Sequence, residues 1–554
     1  MLRVWRPSGQ ELPIMRVGIK DAGGLKKYLY EVHGFPTYLQ QLLHDGRLLG
    51  DDAKLDAPMD LYLVLQTLST PPQRGNWNDL AFLAEEDLAD AARRNRTSMV
   101  RCLLEAGVDK DVRHLNVGKT TLMLACERGH LEIARVLLEA GAGLDHAYKG
   151  MTALMLASLC GHLAVARLLL EGAADAHHSH PNGKTALMFA SERGHVEVAR
   201  LLLNAGVNKD GSCSDGMTAL MLASQTGHLQ VARLLLQAGA DKDRRCNDGM
   251  TALLLASYSG ESEVARLLLQ EGADAPRSQP DGMTALMFAS SQGHLEVARL
   301  LLQAGADKDC RRNDGMTALM LTSWSDPLDA ARCCWSGRLE VARLLLEAGA
   351  DKDCCCSDGM TALMLACHGG DFEVAALLLQ HGADAHRRQP DGMTALMFAS
   401  WRGGLKVTRF LLEADADKDC QRQDGMTPLM FASWSGRLEV ARLLLQAGAD
   451  KDRRRDDGMT ALMLASSTGR LRVARLLLEA GADKECSRQD GVTAQLLASS
   501  NEHLKVARLL LEAGIQTYLL DLYARAGKPT SEAELATVVL RDVYAAALAR
   551  VPTA

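Results

Sequence analysis

The sequence predicts a mainly helical repeat array preceded by a small α+β domain. Three observations predict it: a phrase that recurs at a nearly fixed period, two short helical patterns inside every period, and an N-terminal stretch of about 68 residues in which strand-like runs flank one helix. The chain has 554 residues, 47% apolar and 24% charged, which is the balance of a folded chain and excludes wholesale disorder. Its formal net charge of −7, from 62 Lys+Arg against 69 Asp+Glu, gives a polyanion no global attraction.

Residues 1–70 come first. LRVW and PIMRV are strand-like around Ser8-Gly9, LKKYLYEVHG is helical and stops at Gly34, and LQQLLHDGRLLG and LYLVLQTL return to strand character. The order β-β-α-β-β, with Gly34-Phe35-Pro36 leaving the helix and a turn at Asp45-Gly46, resembles ubiquitin. The resemblance implies a β-grasp fold whose hydrophobic recognition patch maps onto Leu43 and Val64, with Pro7 as its third member. Tyr62 stands where that family has a histidine beside the patch. Leu43 and Val64 read equally well as ordinary strand residues. The family's exposed Gly-Gly tail is absent: the chain runs through Ser69-Thr70-Pro71-Pro72 to Arg74-Gly75 and on, so the domain is expected to be fixed rather than conjugated. Residues 71–79 read as a Pro/Gly linker.

Residues 80–515 carry the repeat. The threonine of GMTALMLAS falls at Thr120, Thr152, Thr185, Thr218, Thr251, Thr284, Thr317, Thr361, Thr394, Thr427, Thr460 and Thr493, which number units one to twelve below. The spacings are 32, five of 33, one of 44 and four of 33, and a leading unit from Leu83 to Asp111 brings the total to thirteen. In unit four, TALMLASQT is a short helix that Thr218 can cap and Gly227 ends. LQVARLLLQA puts Val231 and Leu235, and Ala232 and Leu236, one turn apart, and Gly239 stops it. A polar stretch then ends in the turn dipeptide Asp248-Gly249. Helices of this length do not stand alone in water, so their apolar faces must stack on neighbouring units.

The DG-x-T-A-L start, the GHLEVARLLL helix and the GAD that follows resemble the ankyrin repeat. The resemblance implies helix–turn–helix units with projecting hairpin loops, stacked as a solenoid whose concave surface binds proteins. Where that family usually has His, this chain has Met, as at Met123, Met221 and Met463, and apolar stacking is expected in place of the histidine's hydrogen bonds. Only Thr427-Pro428 keeps the family's proline. In the last unit Gln495 replaces a core leucine, as a solvent-facing terminal repeat would. Eleven extra residues, SDPLDAARCCW at 325–335, fall between the helices of unit seven, and Pro327 argues for a looped-out insert or a gene-model accident over a longer helix. Residues 516–554 are expected to form a helical cap, with Ser531 and Glu534 as a capping box ahead of Leu535, Val539, Val543 and Ala547. A partner-binding tail is the alternative.

Chemical sites are mostly refused. Gly118-Lys119-Thr120 and Gly183-Lys184-Thr185 echo a phosphate loop but have Arg113 and His178 where its first Gly belongs. Asp307 and Asp309 are followed by Arg311 and Arg312, which spoils a calcium loop. His177, His178 and His180, and Cys354-Cys355-Cys356, have no recognised metal spacing, and the three cysteines read as exposed thiols. His130, His162, His195, His228, His294 and His503 share one repeat position, which the resemblance makes structural. Loop arginines sit beside aspartates without interleaved aromatics, so nucleic acid is not expected as a partner. No enzyme, cofactor or metal is expected, and no apolar run reaches the length of a membrane span. The start MLRVWRPSGQ does not read as a secretory signal, and with fourteen cysteines the expectation is a reducing, cytoplasmic location with the nucleus also open.

The expected function is a non-catalytic adaptor, the array holding a protein client and the head docking to receptors of the ubiquitin–proteasome system. The alternative is a signalling or cytoskeletal scaffold in which the head only caps the array. Oligomeric state and client are open. The two residues that follow each TALMLAS helix vary from unit to unit, so the core does not dictate them. Trp324, Trp401, Trp434 and Tyr258 all occupy the first of these positions and are the candidate binding anchors. Their alternative reading is packing against neighbouring helices.

Overall fold

A computed structural model describes residues 3–6, 10–14, 19–55, 59–65, 77–114, 117–324 and 335–525. Pro7, the stretch from Pro71 to Gly75, insert residues 325–334 and the segment from Ser531 onward lie outside these. The chain divides into two units, Met1–Asp274 and Ala275–Ala554.

The first unit opens with β1 (Arg3–Trp5), β2 (Glu11–Leu12), α1 (Ala22–His33), β3 (Gln40–His44), β4 (Arg47–Leu48) and β5 (Asp60–Leu65). The sheet order is β2-β1-β5-β3-β4, with β1 and β5 parallel and the other neighbours antiparallel. Alternation along the strands sends Val4, Leu42, Leu61 and Leu63 into one core with Leu25 and Leu29 of α1. Asp21 caps α1 by accepting from the Gly24 N–H at 2.6 Å, and Gly34 ends it at φ 74°. The β-β-α-β-β order is as expected. β2 starts at Glu11, ahead of the PIMRV run, whose Met15, Arg16 and Val17 lie outside the described residues.

Two helices follow, α2 (Trp77–Arg93) and α3 (Thr97–Glu105), which form the leading unit. The small sheet domain is built onto them. Cys102 of α3 belongs to the sheet's own core cluster. The Tyr38 hydroxyl donates to Asp87 of α2 at 2.6 Å, and Arg6 pairs with Glu105 at 3.6 Å.

Beyond them every unit repeats one plan. The threonine of the recurring phrase is the N-cap, and its Oγ1 accepts from the backbone N–H three residues on at 3.3–3.4 Å in all twelve units. In unit four the first helix, Ala219–Gln225, buries Ala219 through Ser224, Leu220 being only 1% exposed. The second helix, Leu229–Gln237, buries Val231, Ala232 and Leu235 and gives its other side to solvent. Gly227 and Gly239 turn the chain at φ 75° and 77°.

Two hydrogen-bond ladders tie neighbours together. The repeat histidine reaches back to a carbonyl at the end of the preceding unit's first helix: His130 to Arg93, His162 to Glu127, His195 to Leu159 and His228 to Glu192, each at 3.1 Å. In the loops a carboxylate of one unit accepts from an N–H of the next, as Asp210 does from Asp241 at 2.8 Å in the first unit and Asp353 from Asp384 at 2.8 Å in the second.

Three expectations need revision. Met221 does more than stack, because its Sδ accepts from the Thr218 N–H at 3.5 Å and closes a capping box. Cys354 is buried, while Cys355 is exposed and Cys356 lies between, so the three are not one exposed cluster. Trp324 leaves the first helix of unit seven in an extended conformation (φ −85°, ψ 109°), and the second helix of that unit starts at Trp335. The last second helix runs on from Leu504 to Arg525. Gln495 and Leu496 of unit twelve are exposed, as a terminal unit requires.

Candidate protein-binding surface

The first helix of most units is buried until its last residues, the terminal unit twelve being the exception, and there the repeat is free to vary. Chain geometry explains this: the residue seven past the capping threonine sits at the end of the helix, where it is part-buried or exposed in every unit. Tyr258 is 47% exposed at this position, Trp324 49% and Trp434 44%. Exposed rings of this size, at the ends of helices whose other residues are mostly buried, mark these positions as surface rather than core.

Trp401 differs from its expected companions. It is half-buried, tilted against His368 at 5.7 Å between ring centroids, with the Arg402 guanidinium 5.3 Å above its ring. His368 also meets Phe398 edge-on at 5.4 Å, and its Nε2 accepts from Arg402 at 2.9 Å. An imidazole that accepts from a guanidinium is neutral. Burial first, then Arg402, hold the His368 pKa below its ordinary 6.5. Trp401 is thus part neighbour packing and part surface.

Sequence reasoning missed the arginines beside these rings. In units ten and eleven Arg437 and Arg470 occupy the position of the repeat histidine. Their Nε groups donate to the carbonyls of Trp401 at 3.2 Å and Trp434 at 3.4 Å, so they tie the units as histidine does. The replacement of GH by GR was the available signal. In unit eight the position is Asp371, whose carboxylate turns inward to accept from the Val374 N–H at 3.1 Å.

On the sheet domain, strand register groups a second set. Tyr62 pairs with both Trp5 and Leu43, Leu43 also pairs with Leu48, and Val64 pairs with Gln41. Paired positions share a face, so Trp5, Tyr62, Val64, Leu43 and Leu48 lie on the face opposite the core. Leu43, Val64 and Trp5 are half-buried there, while Tyr62 is 49% exposed. Pro7, the third expected member, lies outside the described residues.

Three thiols buried in the helices have little nucleophilic character. Burial pushes the Cys102 pKa up to about 12 and those of Cys126 and Cys367 higher still. Among the described residues no three His, Cys, Asp or Glu side chains are grouped to hold a metal ion, and no helix is long and apolar enough to cross a membrane.

The family model described as "Ankyrin repeats (3 copies)" matches residues 88–179, 173–246, 253–333, 328–422 and 448–521, and that described as "Ankyrin repeat" matches 424–456. No curated protein matches the chain significantly. The stacked two-helix units, their threonine caps and these matches across most of the sequence lead to one conclusion: the chain belongs to the ankyrin-repeat family.

Proposed function

We propose that this protein is a non-catalytic adaptor whose repeats hold a protein client on the ends of their first helices. The observation that carries the reading is the exposure of Trp324, Trp434 and Tyr258 at one repeat position. Rigid aromatic side chains bury large areas at low entropic cost and dominate interface hot spots, at about 2 kcal/mol or more each. Replacing Trp324 and Trp434 together with Ala should abolish client capture in a pull-down and leave the melting temperature nearly unchanged. A fall in melting temperature with capture intact would return both rings to a packing role. Trp401 makes a poorer probe than its sequence position suggested, because its contact with His368 adds a stability cost of its own.

For the sheet domain we propose two roles that coexist. Its shared core with α3 and the Tyr38–Asp87 bond support the capping role, which is the part of the scaffold alternative that a specific observation favours. The opposite face, with Leu43, Val64 and Tyr62, supports docking to ubiquitin-system receptors as a ubiquitin-like head, in a cytoplasmic or nuclear setting. Leu43→Ala with Val64→Ala should weaken binding to purified ubiquitin receptors. Receptors that bind the parent and the double variant equally, or bind neither, would remove that role and leave the cap.

A further inference from the structure

The two units present different chemistry at the ends of their first helices. In the first unit the two variable positions carry Glu127, which pairs with Lys119 at 2.7 Å, and Glu192, which pairs with Lys184 at 2.8 Å, beside Arg128 and Arg193. The tying side chains are the histidines His130, His162, His195 and His228. In the second unit, from Trp324 to Asn501, the two variable positions carry no acidic residue. Units nine to eleven instead bring Arg402, Arg437 and Arg470 to this edge. Arg402 bonds only to His368 and lies over Trp401, while Arg437 and Arg470 use their Nε on backbone carbonyls. None of the three guanidinium groups has a carboxylate partner among the described residues.

Arg402 lies over the Trp401 ring, Arg437 is anchored on the backbone carbonyl of Trp401 and Arg470 on that of Trp434, so each cation is tied to a residue that carries an indole. We infer that this edge of units nine to eleven takes an extended acidic peptide, with carboxylates on the arginines and apolar side chains on Trp401 and Trp434. The inference rests on the client-binding reading above and adds the client's chemistry. Packed helices set the unit spacing at about 10 Å. An extended chain rises about 3.3 Å per residue, so every third residue meets the next unit. A guanidinium with free N–H groups beside an aromatic face suits a carboxylate, which it can grip by two parallel bonds. A nucleic acid strand fits less well. Its phosphates recur about every 3.4 Å along the duplex, far more densely than one cation per unit, and the chain as a whole repels polyanions.

The test exploits the repeat's own variation. Arg437→His and Arg470→His install the residue that ties units one to four, and Arg402→Thr copies Thr226 and Thr468 of units four and eleven. The triple variant therefore loses the charge while keeping the ties. The full chain and this variant are titrated by fluorescence anisotropy with three synthetic peptides of equal length and matched leucine content. These carry glutamate, glutamine or lysine at every third position, and a single-stranded oligodeoxynucleotide is the fourth probe. The expected result is tight, salt-sensitive binding of the glutamate peptide alone, weakened about tenfold or more in the triple variant, with the melting temperature kept. Failure of the glutamate peptide to bind, equal binding of the glutamate and glutamine peptides, equal binding by parent and variant, or binding of the oligonucleotide alone would overturn the inference. Client capture lost in the Trp324→Ala, Trp434→Ala variant but retained in the triple arginine variant would overturn only this inference and leave the client-binding reading standing. Capture insensitive to both variants would remove the two together.

Discussion

At Thr218 one hydroxyl begins a helix and a thioether three residues later completes the cap. The sequence announces the first half of this arrangement, since threonine before an apolar run is a capping signal. The methionine's part could not be read, because a sulfur lone pair is a weak acceptor and Met at that place reads first as core. Thr218→Val should cost about 1 kcal/mol in denaturant titration, the usual worth of an N-cap. A cost near zero would mean that the Met221 N–H finds another acceptor once the hydroxyl is gone. Leu220→Ala should cost about 2–5 kcal/mol, as a large-to-small change at a buried site does. His368 offers a test by pH. Its pKa is depressed by burial and by Arg402, so the unfolded chain takes up a proton that the folded chain resists. Its contribution to stability is complete above the ordinary histidine range and is lost as pH falls towards the folded pKa. In a histidine titration followed by NMR, its midpoint should lie below 6.5. A midpoint at or above that value would contradict the contact with Arg402.

Among elements, the repeat helices were legible because one phrase recurs in register with its glycines. The small sheet was legible from alternation and one helix-ending glycine. What the sequence did not reveal is that the sheet domain and the leading unit share a core. Tyr38 and Asp87 lie 49 residues apart and belong to no period, so nothing in either pattern links them. Burial raises the Asp87 pKa even though the Tyr38 hydrogen bond pulls it down. Its contribution to stability is therefore greatest below the ordinary carboxylate range and is lost as pH rises through the folded pKa. Asp87→Asn keeps an acceptor for Tyr38 and removes the buried charge, so at neutral pH it should hold or raise the melting temperature. Tyr38→Phe leaves the carboxylate without its donor and should cost about 1–2 kcal/mol. If Asp87→Asn proves the more damaging of the two, the charge stabilises this junction and its described environment is wrong.

For the whole molecule, the repeat count and the variable positions came from the sequence, whereas the change of edge chemistry needed side-chain partners. Glu127 and Arg437 look alike as charges in a sequence; only their bonds separate a neutralised carboxylate from a guanidinium held on a backbone carbonyl. The shared core also changes how the head should be studied. Deleting residues 1–70 would uncover Cys102 and loosen α2 and α3, so the truncated chain should lose hydrogen-exchange protection in the leading unit first. Surface variants such as Leu43→Ala with Val64→Ala are the cleaner comparison. If clients are gripped by the ends of the first helices, hydrogen exchange on the full chain, with and without a captured client, should show client-dependent protection concentrated at the last turns of the first helices around Trp401 and Trp434. Protection confined to the second helices, with those turns exchanging as in the free chain, would contradict that grip.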